Sequence, residues 1–113
     1  FEEILCEDAD YILVAFGISA RICQKTVDLA RNEGIKVGLL RPITLFPFPT
    51  EQLKSRAEQV KGMMSVEMSA GQMVEDVRLA VNGKVPVEFY GRMGGIVPSP
   101  NEVLDALKSK LLK

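Results

Sequence analysis

Two hydrophobic periods alternate along this chain, and their order predicts the fold. Tyr11–Phe16 (Tyr-Ile-Leu-Val-Ala-Phe) is apolar throughout rather than at every second position. That is the pattern of a strand buried on both faces, as in a parallel sheet. Gly17 breaks the run, Ser19 is a natural N-cap, and residues 20–33 place Ala20, Cys23, Val27 and Ala30 on one helical stripe. Gly34 supplies the left-handed position that ends a helix, and Lys36–Leu40 reads as a second short strand. Strand, helix and strand in succession predict a right-handed βαβ unit.

The same alternation continues. Thr50 caps a helix predicted over residues 51–60, with Glu51 well placed against its dipole. Met63–Glu67 is a third strand. Residues 71–82 form a helix with Met73, Val77, Ala80 and Val81 on its inner face, stopped at Asn82-Gly83. Pro86–Tyr90 is a fourth strand. The last helix enters through Ser99, Pro100 and Glu102 and lines its buried side with Val103, Leu104, Leu107 and Leu111. Strands alternating with helices predict an open α/β/α sandwich in three layers. Along the sheet the expected order is second, first, third and fourth strand. Residues 1–10, with five acidic side chains and no basic one, add an edge strand or serve as the tail of an incoming linker.

That order reverses the direction of winding beside the first strand. Ligands of open α/β sheets favour such switch points. The candidate crevice is flanked by Gly17 and Ser19 on one side and by Glu67, Ser69, Gly71 and Gln72 on the other. Ser69 and Gln72 have the spacing of a capping box, and two helix N-termini there suit a small anion or an empty, hydrated crevice. Only the first glycine of a G-x-G-x-x-G fingerprint is present, since positions 19 and 22 are Ser and Ile, so a dinucleotide is excluded. Arg41–Pro49 holds three prolines, which forbid a regular helix or a central strand, yet Ile43, Leu45, Phe46 and Phe48 are strongly apolar. The segment must pack on this domain or on a neighbour. Arg41 suits a sheet edge or a subunit boundary, and Arg92, between glycines, suits a partner contact or a free surface.

Composition narrows the chemistry. The 113 residues suit one domain, here expected to be cut from a longer chain, since it begins at Phe1. A net charge of −1 gives no case for nucleic acid or an anionic membrane. No apolar run is long enough to span a bilayer. Cys6 and Cys23 form no C-x-x-C pair, which fits a reduced, cytoplasmic setting. Histidine is absent, removing the usual general base and zinc ligand. Cys23, on an apolar stripe, reads as core.

The run Val66-Glu67-Met68-Ser69-Ala70-Gly71-Gln72-Met73-Val74-Glu75-Asp76-Val77-Arg78 resembles the C-terminal part of the α chain of 2-oxoacid:ferredoxin oxidoreductases, above all the branched-chain (2-oxoisovalerate) type. Ala15-Phe16-Gly17, then Ser19, resembles that family's first strand and turn. Gly34–Pro42 leading into Phe46–Pro49 resembles its second strand and proline-rich crossover. Gly91–Gly95 with Pro98 resembles its glycine-rich loop. The match covers about residues 8–108. It implies a fold like the C-terminal domain of transketolase, a mostly parallel sheet of four to five strands with one edge strand reversed. It also implies a place in an enzyme that converts a 2-oxoacid to an acyl-CoA with thiamine diphosphate, Mg and iron–sulfur clusters, ferredoxin accepting the electrons. The resemblance puts those cofactors on other domains, and this one beside them, in contact with the other subunits. Glu67 is then not the glutamate that activates the cofactor, which the family carries elsewhere.

Overall fold

The continuously apolar run becomes the central strand of a five-stranded sheet. The computed structural model describes residues 1–42, 48–67, 72–91 and 98–112. Its strands are β1 (Glu2–Ile4), β2 (Tyr11–Ala15), β3 (Val37–Arg41), β4 (Gly62–Glu67) and β5 (Val87–Gly91). Its helices are α1 (Ile18–Asn32), α2 (Thr50–Ala57), α3 (Gln72–Val81) and α4 (Pro100–Leu111). The sheet order is β1-β3-β2-β4-β5. β3, β2, β4 and β5 run parallel, in the order expected from sequence, and the acidic lead-in supplies β1, antiparallel at the edge.

The absence of alternation in β2 follows from burial on both sides. Leu13 and Ala15 face a core with α1 and α4, whereas Ile12 and Val14 face a second core with α2 and α3. All four are fully buried. β4 divides in the same way: Met64 and Val66 turn to the first core and Met63 to the second. Period-two geometry therefore puts Ser65 and Glu67 on the face of Met63, toward α3.

The lead-in lies hard against β3. A Cβ on Gly38 would stand 2.8 Å from both the Cys6 Cα and the Leu5 carbonyl oxygen, so only glycine admits the crossing backbone. Leu5 takes a positive φ of 54° where β1 ends.

Two expected caps are corrected. α1 starts at Ile18, and its N-cap is Gly17 with φ 67°, so Ser19 lies inside the first turn and is buried. Only glycine readily adopts that φ, which turns strand directly into helix before Ser19 is reached. α2 is capped by Pro49 rather than Thr50 and ends at Ala57, short of residue 60. The amides of Glu58, Gln59 and Val60 close turns onto Ser55 and Arg56 instead. α4 keeps its capping box: Glu102 N–H donates to Ser99 Oγ at 3.1 Å, and Ser99 N–H donates to Glu102 Oε1 at 2.9 Å.

Candidate functional site

β2 is followed by α1 on one face of the sheet, and its neighbour β4 by α3 on the other. The chain therefore diverges between their carboxyl ends, at the expected switch point, with Gly17 on one side and Glu67 on the other. Glu67 does not face open space there. It is 7% exposed, and its carboxylate is fully engaged. Met73 N–H donates to Oε1 at 2.7 Å, Val74 N–H donates to Oε2 at 2.9 Å, and Ser65 Oγ–H donates to Oε2 at 3.0 Å. Met73 and Val74 are the second and third residues of α3. The carboxylate thus takes the helix-end donors that a capping side chain or a bound anion would take, and its charge complements the helix dipole.

Ser65 was not singled out by the sequence. Its signal was there: the only hydroxyl in an otherwise apolar strand, two residues before a carboxylate and hence on the same face. Ser19 is buried, and its backbone lies in α1. Gln72 is the first residue of α3. Ser69 and Gly71, and with them the Ser69/Gln72 capping box, lie outside the described residues.

The expected contact residues also divide. Arg41 stands opposite Glu2 in the sheet register and pairs with it at 3.2 Å. Phe48 is half-buried against the core that holds Leu40 and Leu53. Phe46 and Arg92 lie outside the described residues.

The acidic lead-in is strapped to the body of the chain. Arg56 holds Glu3 through two hydrogen bonds, 2.7 and 3.0 Å, and keeps its carboxyl below the usual range. Arg31 holds Asp8 likewise, at 2.8 and 3.2 Å, and lowers its pKa. A concavity of about 470 Å³ lies here, lined by Glu3, Leu5, Cys6, Glu7, Asp8 and Arg56. Among the described residues its one cation, Arg56, is already committed to Glu3. Burial, and then the Glu3 charge, push the Cys6 thiol up to about 11, and burial alone pushes Cys23 far up. Neither is a poised thiolate. Among the described residues no group of three or more His, Cys, Asp or Glu is placed to hold a metal ion. With the α3 amides taken by Glu67, these residues do not fit a diphosphate, a metal ion or an iron–sulfur cluster. Among them no helix is long and apolar enough to cross a membrane.

Comparison with known proteins gives this arrangement a family. Residues 9–103 match the model of pyruvate:ferredoxin oxidoreductase core domain II. The chain is 50% identical over 108 residues to the ketoisovalerate oxidoreductase subunit VorB of Methanothermobacter marburgensis, an alignment covering 96% of this chain and 30% of that subunit. Its fold is similar to that of the 2-oxoglutarate:ferredoxin oxidoreductase from Magnetococcus marinus, with TM-score 0.80 and 21% identity over 92% of this chain and 18% of the other. A split-gene transketolase, an inactive beta4 tetramer, matches with TM-score 0.81 and 19% identity over 98% of this chain and 41% of the other. The family model spans most of the sequence and the likeness to VorB runs over nearly all of it, so the chain belongs to the pyruvate:ferredoxin oxidoreductase core domain II family.

Proposed function

We propose that this domain is a non-catalytic assembly element of a thiamine-diphosphate-dependent 2-oxoacid:ferredoxin oxidoreductase. The whole enzyme would decarboxylate a branched-chain 2-oxoacid oxidatively to its acyl-CoA in the cytoplasm and reduce ferredoxin. Thiamine diphosphate, Mg and the iron–sulfur clusters would reside on its other domains and subunits. The likeness to VorB supports the branched-chain subtype. The observation that carries the assembly role is the Glu67 carboxylate on the α3 amides. It spends two donors at the N-terminus of α3 on holding strand to helix. The same observation counts against the alternative, an effector module that takes an anion or nucleotide at the switch point, because a second negative charge would meet Glu67 there.

The test is deletion. The native-length subunit is co-expressed with its partner subunits, with and without this region, and the purified complex is assayed for 2-oxoacid-dependent ferredoxin reduction. The expected result is a truncated complex that falls apart and loses activity. A truncated complex that stays assembled and active would overturn the reading.

A further inference from the structure

We infer that Asn82-Gly83, in the turn between α3 and β5, is a site of spontaneous covalent modification: the Gly83 backbone nitrogen attacks the Asn82 carboxamide and converts it, through a succinimide, to aspartate and isoaspartate. Asn32, Asn82 and Asn101 are the asparagines of the chain, and all are exposed. They differ in the amide that follows. Glu33 N–H, after Asn32, donates to Ala30 O at 3.0 Å. Glu102 N–H, after Asn101, donates to Ser99 Oγ at 3.1 Å. Gly83 N–H makes no such bond among the described residues, although the amides on either side do: Asn82 N–H donates to Arg78 O at 3.0 Å and Lys84 N–H to Val81 O at 3.1 Å. An amide nitrogen held in a hydrogen bond must give it up before it can attack. The Gly83 nitrogen has none to give up.

The backbone favours the same step. Asn82 and Gly83 both take a left-handed φ, 51° and 78°. Gly83 has no side chain to block the approach, and a Cβ built there would meet nothing within 4 Å. The Asn82 carboxamide is likewise unbonded among the described residues. The atoms balance with water as the sole co-reactant. The Gly83 nitrogen bonds to Asn82 Cγ, and the side-chain nitrogen leaves as ammonia with the amide proton. Water then reopens the ring, at Cγ to give aspartate or at the main-chain carbonyl to give isoaspartate. Either product puts a carboxylate at the C-terminal end of α3, where the helix dipole disfavours negative charge. Isoaspartate also lengthens the connection from α3 to β5 by a methylene. Lys84 in the same connection bridges to Glu58 at 2.7 Å, so the change falls in a turn tied to the end of α2.

The test follows the three asparagines together. The native-length subunit is held in its complex at mildly alkaline pH, digested at intervals and mapped by mass spectrometry, with electron-transfer fragmentation to tell isoaspartate from aspartate. A parallel sample in denaturant supplies the rate of each unfolded peptide, which removes the intrinsic difference between glycine and glutamate as the following residue. In the complex, Asn82 should convert at least tenfold faster than Asn32 or Asn101, with isoaspartate among the products. Its rate should also lie within a few-fold of its own unfolded rate, while the other two fall well below theirs. Asn82→Gly, which keeps a residue suited to the left-handed φ, should remove the change from that peptide and leave the other two as they were. Conversion at Asn82 no faster than at Asn32 or Asn101 would overturn the inference. So would a slowing at Asn82 in the complex as strong as theirs, because the folded turn or a covering partner would then hold Gly83 as firmly as a hydrogen bond holds Glu33 and Glu102.

Discussion

The two ends of the parallel strands dispose of their side chains differently, although Glu2–Arg41 pairs charge at the carboxyl end and Leu5 is half exposed beside Gly38 near the amino end. At the amino ends of the parallel strands, charge is paired within the chain: Arg31 with Asp8, Lys84 with Glu58 and Lys108 with Glu33. The backbone is closed there as well. Asp10 N–H donates to Lys36 O, Lys61 N–H to Asp10 O and Met63 N–H to Pro86 O, so each connection is tied to the next. At the carboxyl ends, the central strand finishes in the exposed pair Phe16 and Ile18, and the buried carboxylate, Glu67, is turned inward onto α3. An edge whose polar groups bond one another has little left to offer a partner. An edge that leaves apolar side chains in water gains by being covered.

The strongest way to break the closed edge is at Gly38. Gly38→Val would drive side-chain atoms into the Cys6 Cα and the Leu5 carbonyl, which are backbone and cannot step aside cheaply. Displacing β1 or straining β3 should cost roughly 3 kcal/mol, read as a fall in the denaturant midpoint at unchanged slope. Exchange should speed first in residues 2–9, since the lead-in rather than the central strand gives way.

Glu67 tests the other edge. Glu67→Ala would leave two α3 amides and the Ser65 hydroxyl without their acceptor, at a cost of about 2 kcal/mol. Glu67→Gln is the sharper variant. Its single amide oxygen can serve one helix N–H, while its NH₂ faces the other, so Gln should recover less than half of the loss. Full recovery by Gln would show that shape rather than acceptor capacity matters at this position.

Next in size is the strap between β1 and α2. Hydrogen bonding from Arg56 lowers the Glu3 carboxyl below its ordinary value of 4.5. A carboxyl with a depressed folded pKa contributes stability that is complete above its unfolded pKa and is lost as pH falls through the folded one. Glu3→Gln should therefore cost about 1 kcal/mol near neutral pH. The difference from wild type should shrink as pH drops below 4.5. A difference that stays constant to pH 3 would mean that the pair contributes through packing alone.

Much of this was legible before any coordinates. The apolar run at residues 11–16, the stripe in α1 and the Ser99–Glu102 box all encode local rules that packing then reinforces. The sheet order followed because right-handed crossovers leave few alternatives. What the sequence hid was long-range pairing. The five acids of the lead-in suited an edge strand or a linker tail and named no partner, but Glu3 and Asp8 answer Arg56 and Arg31, residues far along the chain and brought near only by the sheet. Glu67 was found as a crevice residue, yet its role depends on its pairing with the amides of Met73 and Val74, six and seven residues on. Ser19 misled in the same way, since the backbone of Gly17 already supplied the turn.

The smallest expected effect is the most informative about the comparison. In the wild-type fold Phe16 and Ile18 are 42% and 53% exposed, so Phe16→Ser and Ile18→Asp remove less buried contact within the chain than a core substitution would. Surface changes of this kind usually move stability by less than about 0.5 kcal/mol. Measured on the subunit freed from its complex, the unfolding of the β2 region should match wild type within that margin, whereas Gly38→Val should lower it clearly. A large destabilisation by the Phe16/Ile18 pair would place those side chains in the core of the chain itself. The two edges would then not differ in the apolar surface they leave for a partner.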